Sequence, residues 1–234
     1  MPPELQHLSY SSVQTYLMCP RSWSFRYREC VPVATAPALA FGSAWHGMVE
    51  AMIRNRSNGV LHVPVADTWR EQWGKATQQD IAWGDATAEQ MANEGLRMVL
   101  TPAILEAIEG LRPMHQEGQP VLEKRIELRV PGVPLPVIGF IDMIDSEGVP
   151  WDFKTAGKAW TQSQADGEMQ PLFYLAALNQ QGWTHNVSYQ FQHLVFVKGQ
   201  KPAVQVIESQ RRAAELLWLA ETVQQVWLGI KYQV

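Results

Sequence analysis

The stretch Gly139-Phe-Ile-Asp142-Met-Ile-Asp145-Ser-Glu-Gly148-Val-Pro-Trp-Asp152-Phe-Lys154 decides the fold, because it sets charged side chains inside two apolar runs. Aspartate is a poor strand former, and a buried unpaired carboxylate is costly unless its pKa shifts until it is neutral. The turn sequence Asp145-Ser-Glu-Gly148 between the two runs predicts a hairpin. In that hairpin Asp142 faces Asp152, and a divalent cation between the two carboxylates would compensate their charge.

Asp152 and Lys154 are two residues apart on a predicted strand, so both side chains project from one face, about 7 Å apart. One can bind a cation while the other meets the scissile group or the attacking water. Carboxylate oxygens suit Mg²⁺ or Mn²⁺ better than Zn²⁺, which prefers nitrogen and sulfur. A structural ion pair at a sheet edge explains the same two residues, and the hairpin alone leaves both interpretations open.

The composition is that of a globular protein with ample core: the chain has 234 residues, of which 46% are hydrophobic and 18% charged. No apolar run approaches the ~20 residues that span a bilayer, and the N-terminus lacks a basic region followed by an apolar segment. We therefore expect a cytoplasmic protein without a membrane segment. Its two cysteines, Cys19 and Cys30, cannot supply the four ligands of a structural zinc site or an iron-sulfur cluster.

The net charge of −4 is unevenly distributed along the chain. Residues 67–109 hold eight acidic and three basic residues, so the rest of the chain is close to neutral. Basic residues that could line a cleft lie outside this region; they are Arg21, Arg26, Arg28, Lys154, Lys158, Lys198 and Lys201. Such a distribution permits the binding of a polyanion without demonstrating it.

The order of predicted elements indicates one α/β domain over residues 1–234. Helices begin the chain, and residues 38–56 form a helix that carries His46. A helical subdomain at about 57–115 is inserted before a sheet core at 120–200. Within that core, the apolar alternation that starts at Val121 is interrupted at Lys124.

Residues 151–197 read as a strand, a helix and a second strand, and such a crossover predicts a parallel strand pair. The helix begins near Met169. Pro171 must lie in its first turn, since proline deeper in a helix costs about 3 kcal/mol. Gln170 therefore stands at the start of the helix, with Tyr174 four residues on and on the same face.

The chain resembles the PD-(D/E)XK nuclease superfamily, specifically RecB-type nuclease domains and Cas4-like exonucleases. Five motifs carry the resemblance in the family's order. They are Ser9-x-Ser11-x4-Tyr16-x2-Cys19-Pro20-Arg21, Gly42-x3-His46, Gly139-x2-Asp142, Asp152-x-Lys154-Thr155 and Gln170-x3-Tyr174. The resemblance implies a restriction-endonuclease-like core, in which helices flank a central mixed β-sheet, with a helical insertion.

The resemblance also implies roles for these residues. The implied metal ligands are His46, Asp142, Asp152 and the backbone carbonyl of Phe153, for Mg²⁺ or Mn²⁺. Lys154 would orient the attacking water and stabilise the developing charge, with Asp142 and Asp152 as its catalytic partners. Gln170 and Tyr174 would position Lys154 and contact the DNA strand, and Arg21 and Lys158 are further candidates for DNA contact.

One departure concerns cysteine. Cas4-like nucleases often hold an iron-sulfur cluster with an N-terminal cysteine and three C-terminal ones. Cys19 occupies the first position, and the sequence given has no C-terminal three. Either the chain is a relative without the cluster or a further segment follows Val234.

The expected function is that of a metal-dependent deoxyribonuclease, an exonuclease that acts on single strands or DNA ends. The resemblance places it in recombination, repair or CRISPR adaptation, in a bacterium or a phage-infected host, with protein partners from such a complex. The alternative is a DNA-binding or scaffolding module that keeps the fold without cleavage. The intact set of His46, Asp142, Asp152 and Lys154 argues against that alternative.

Overall fold

A six-stranded mixed sheet forms the centre of the protein, as described by a computed structural model for residues 5–60, 62–183 and 189–232. Its strands are β1 (Leu8–Ser9), β4 (Leu122–Leu128), β5 (Val137–Ile144), β6 (Pro150–Ala156), β7 (Gln190–Val197) and β8 (Ala203–Gln210). A small separate hairpin is formed by β2 (His115–Gln116) and β3 (Gln119–Pro120).

Helices lie before, between and after the strands. They are α1 (Tyr10–Met18), α2 (Pro20–Trp23), α3 (Pro37–Ser57), α4 (Val65–Ala76), α5 (Ala88–Val99), α6 (Pro102–Gly110), α7 (Gln162–Gly167), α8 (Gln170–Gln180) and α9 (Ala213–Tyr232). A five-residue π-helix, Ser24–Arg28, follows α2 directly.

One edge of β5 is shared by two strands. Along its other edge, β5 pairs with β4 from Val137 to Met143. On the shared edge, β1 pairs with Val137 and Ile138, and β6 pairs with Met143 and Ile144. Residues 139–142 of β5 therefore face a gap between β1 and β6. Asp142, Asp152 and Lys154 meet at this gap.

Two cores lie on opposite faces of the sheet. The first contains α1, α8 and α9, which pack on β4 and β5. The second contains α3 to α6, with an aromatic cluster of Phe41, Trp45, Trp69 and Trp73. Gly95 allows α5 to approach α4 closely, since a Cβ there would lie only 1.9 Å from the Trp69 ring. The predicted helical insertion thus packs in one core with α3 and a face of the sheet.

The predicted fold class is confirmed: the sheet is mixed, helices flank it, and the strands on either side of α7 and α8 are parallel. The strand β6 lies between β5 and β7, so Asp152 and Lys154 are on an interior strand of the sheet, in the part of it that pairs with β7 only. Among the described residues, no helix is both long and apolar enough to cross a membrane.

Candidate active site

Asp142 lies in the gap between β5 and β6, with 7% of its surface exposed. The two strands pair only at Met143–Trp151 and Ile144–Pro150, so the backbone of β6 beyond Trp151 has no partner strand on this side. The carboxylate of Asp142 takes the place of such a strand, because its Oδ2 accepts the backbone N–H of Phe153. A buried amide is thereby satisfied, and the carboxylate is fixed beside β6.

His46 reaches the same carboxylate from α3, on the other side of the gap. Its Nδ1 lies 3.0 Å from Oδ1 of Asp142, and its ring packs against the Phe153 ring at 6.1 Å between centroids. Burial lowers the pKa of His46, but the charge and hydrogen bond of Asp142 outweigh burial and raise it to about 9. Without a cation, His46 and Asp142 therefore form an ion pair at neutral pH.

Asp152 and Lys154 form a second ion pair on β6, with Nζ 2.8 Å from Oδ2. Asp152 is 2% exposed, and its burial raises its pKa although Lys154 opposes the shift. The charge of Asp142 raises that pKa further. In the absence of a cation, the ammonium of Lys154 and the protonated imidazole of His46 thus balance the two buried carboxylates, and a divalent cation that displaced the His46 proton would take over this compensation.

Lys154, Gln170 and Tyr174 form a chain of hydrogen bonds. Lys154 donates to Oε1 of Gln170 at 2.6 Å, and Nε2 of Gln170 donates to the Tyr174 hydroxyl at 2.6 Å. Gln170 and Pro171 begin α8, as their sequence predicts, and the four-residue spacing brings Tyr174 onto the same face. The Tyr174 ring lies on β5 at Gly139, where a Cβ would stand only 3.0 Å from the ring.

The comparison with family models decides the assignment. A model of the PD-(D/E)XK nuclease superfamily matches residues 7–233. The chain belongs to this superfamily. It is therefore a member of a nuclease superfamily. That Asp142, Asp152 and Lys154 carry the superfamily's chemistry stays a prediction.

Two solved structures are similar to this superfamily member. One is a protein of Eubacterium rectale, provisionally named an exonuclease, with 11% identity and a TM-score of 0.49 over 97% of this chain and 79% of that one. The other, SSO0001, has 12% identity and a TM-score of 0.28 over 92% and 84%. No curated protein is similar enough in sequence to count as a match. Both TM-scores are below 0.5, so the assignment rests on the family model.

The structure also brings Glu123 of β4 to this candidate site, a residue that the sequence interpretation missed. One ligand atom each of His46, Glu123 and Asp142 lie within 4.8 Å of one another. Burial, followed by the charge of Asp142, raises the pKa of Glu123 to about 7. The interruption of the apolar alternation at Lys124 was the sequence signal for an irregular strand at this point.

The remaining predicted residues lie at the periphery of the site or away from it. Tyr174 is 5% exposed, so it lies behind Gln170, and its direct contact with DNA stays a prediction. Arg21 is exposed on α2, where it pairs with Glu29 at 3.5 Å and covers the Phe25 ring at 4.2 Å. Lys158 lies on the exposed bend that follows β6.

Cys19 and Cys30 are both exposed and form no disulfide. The Sγ of Cys19 accepts the N–H of Ser22 and so caps the start of α2. This hydrogen bond gives Cys19 a local structural role that requires no metal.

A hard divalent cation fits the residues present in the gap. The donors there are carboxylate oxygens and one imidazole, without thiolate, which favours Mg²⁺ or Mn²⁺ over the metals of sulfur-rich sites. Burial is the main cause of the raised pKa values of Asp152 and Glu123, and the negative charge of Asp142 raises both further. Positive charge placed in the gap would favour the ionised form of both carboxylates.

Proposed function

We propose that this PD-(D/E)XK protein is a Mg²⁺- or Mn²⁺-dependent deoxyribonuclease, and that it acts as an exonuclease on single strands or DNA ends. The observation that carries the proposal is the convergence of Asp142, Asp152 and Lys154 at the gap between β5 and β6. His46 closes this group from α3.

The residues that would hold the cation are His46, Asp142, Asp152 and the carbonyl of Phe153. The N–H and the carbonyl of one strand residue point to the same side of the strand. Since the Phe153 N–H is directed at Asp142, its carbonyl faces the same gap. A divalent cation bound here would neutralise charge on the phosphate and lower the pKa of water during in-line attack.

Lys154 would supply a fixed positive charge next to the scissile phosphate. Its ammonium is held by Asp152 on one side and by Gln170 on the other, so its position does not depend on the substrate. From that position it would orient the attacking water and stabilise the charge that develops on the phosphorane. Tyr174 fixes the amide of Gln170 and thereby supports Lys154 indirectly.

Basic residues at the carboxyl ends of β6 and β7 support a DNA substrate. These strands are parallel, so their carboxyl ends meet at one edge of the sheet. Lys158 follows β6, and Lys198 and Lys201 follow β7. They lie just beyond Lys154, where the strand that leaves the site would need its phosphate charge compensated.

An exposed aromatic surface near the start of α3 supports a single strand as substrate. Phe25 is 41% exposed and lines a groove with Arg26 and Leu39. Leu39 lies seven residues before His46 on α3, which corresponds to about 10 Å along the helix. Aromatic and arginine side chains that line a groove can stack on unpaired bases.

The cellular role that we propose is recombination, repair or CRISPR adaptation in a bacterial or phage-infected cytoplasm, together with protein partners of such a complex. The family assignment supports a role in nucleic-acid processing. The narrower context is carried by the resemblance to RecB-type and Cas4-like nucleases.

Digestion of end-labelled DNA tests the proposed function. Linear single-stranded, linear double-stranded and circular DNA are incubated with Mn²⁺ and the wild-type protein, Lys154→Ala, or the control Lys75→Ala. Lys75 is an exposed lysine of α4 that pairs with Glu71. We expect loss of linear substrates only, with full activity in the control and none in Lys154→Ala.

Other outcomes would each overturn a defined part of the proposal. Cleavage of circular DNA would mean that the protein is an endonuclease and not an exonuclease. In a parallel incubation with end-labelled RNA, cleavage of the RNA but of none of the DNA substrates would mean that RNA, and not DNA, is the substrate. Binding of DNA without cleavage under any condition would favour the non-cleaving module, and equal activity in Lys154→Ala would remove the site assignment.

A further inference from the structure

Glu123 has an unusual backbone for a residue inside a strand. Its φ is +47°, in the left-handed region that residues other than glycine, asparagine and aspartate seldom adopt. The pairs Leu122–Met143 and Lys124–Ile141 on either side place Glu123 opposite Asp142. The strained residue thus lies directly across the sheet from the central carboxylate of the site.

The kink at Glu123 changes which face of the sheet the strand presents. Leu122 packs in the core of α3 to α6, whereas Ile126 packs in the core of α1, α8 and α9. In a regular strand, residues four apart share a face. The change of face coincides with the left-handed residue, and the Glu123 side chain comes within reach of Asp142 and His46.

We propose that Glu123 is an additional protein ligand of the divalent cation, contributed by β4. This inference rests on the proposed function and adds a residue to its cation site. One oxygen of Glu123, one oxygen of Asp142 and one nitrogen of His46 are mutually within 4.8 Å, a spacing at which a single cation can contact all three. The cation would then link β4, β5 and α3, in addition to β6.

Binding of Mn²⁺ by isothermal titration calorimetry tests the proposal, with the wild-type protein, Glu123→Gln, Glu123→Gly and the control Glu127→Gln. Glu127 lies on the same strand, but its partners are Arg125 and Arg129. We expect wild-type affinity in the control and at least about a 10-fold loss in both Glu123 variants, the scale of loss seen when groups around a metal are removed.

The glycine variant separates a ligand from a structural residue. Glycine adopts positive φ without strain, so Glu123→Gly should unfold at no lower temperature than Glu123→Gln in the absence of metal. Weak Mn²⁺ binding by a variant that is at least as stable then identifies the carboxylate, and not the fold, as the missing part.

The results distinguish this inference from the proposed function. If the wild-type protein binds Mn²⁺ and both Glu123 variants bind it equally well, Glu123 is not a ligand, and the cation site of His46, Asp142 and Asp152 stands without it. If the wild-type protein binds no Mn²⁺ at all, the proposed cation site itself is wrong. The proposed role of Glu123 as a ligand is then wrong as well.

Discussion

Asp142 accepts a hydrogen bond from the Phe153 N–H across the gap where β5 and β6 no longer pair. The same carboxylate lies 3.0 Å from the imidazole of His46 through its other oxygen. One residue thus completes the hydrogen bonding of a sheet and stands at the centre of the candidate cation site. Substitutions of Asp142 can separate these two roles.

Asp142→Asn and Asp142→Ala should differ in stability but not in function. Asparagine retains an oxygen that can accept the Phe153 N–H, whereas alanine leaves that buried amide unsatisfied, which costs about 1–3 kcal/mol. Thermal unfolding without metal should therefore show a lower Tm for Asp142→Ala, by several degrees. Both variants lack the negative charge and should lose Mn²⁺ binding and DNA cleavage. Equal Tm values would mean that the Phe153 amide finds another acceptor.

Much of the site could be predicted from the sequence, because it depends on local pattern. The turn between β5 and β6 and the alternation of Asp152 and Lys154 follow from a few consecutive residues. Gln170 at the start of α8 follows from Pro171 in the first turn. Each of these features is fixed by backbone geometry within a single element or hairpin.

The rest depends on contacts that no local pattern contains. The gap lies between β6 and the two-residue strand β1, which comes from a distant part of the chain and pairs with the start of β5. Glu123 has a left-handed backbone conformation and lies at the site, whereas the sequence shows only that the apolar alternation of this strand is interrupted. Tyr174 is buried because the helix α8 packs on β5 at Gly139, which a helical pattern alone does not reveal.

The chain from Lys154 through Gln170 to Tyr174 predicts graded effects on the rate. Gln170→Ala removes a hydrogen bond to a charged group, worth about 1.5–3 kcal/mol, and kcat should fall about 10- to 150-fold. Tyr174→Phe removes only a neutral bond one step further away and should lower kcat about 2- to 10-fold. Steady-state kinetics on labelled single-stranded DNA measures both.

The order of the two effects is the critical result. A larger loss in Tyr174→Phe than in Gln170→Ala would mean that the tyrosine hydroxyl acts on the substrate directly. Tyr16→Phe serves as a control, since it removes a hydroxyl near α9, outside the site.

The raised pKa of His46 predicts that the metal-free protein becomes less stable as the pH rises from 7 to 9.5. A histidine whose pKa is about 9 when folded and near 6.5 when unfolded contributes stability that is fully present below 6.5 and lost as the pH passes 9. His193, whose pKa is lowered to about 4 by burial, is neutral when folded and largely neutral when unfolded over this range, so it adds little opposing trend. Addition of Mg²⁺ should reverse the trend, because a cation binds the deprotonated imidazole. The Tm measured with and without Mg²⁺ should therefore differ more at pH 9 than at pH 7. In His46→Gln the metal-free Tm should be flatter with pH, and an equally steep fall in that variant would assign the effect to other groups.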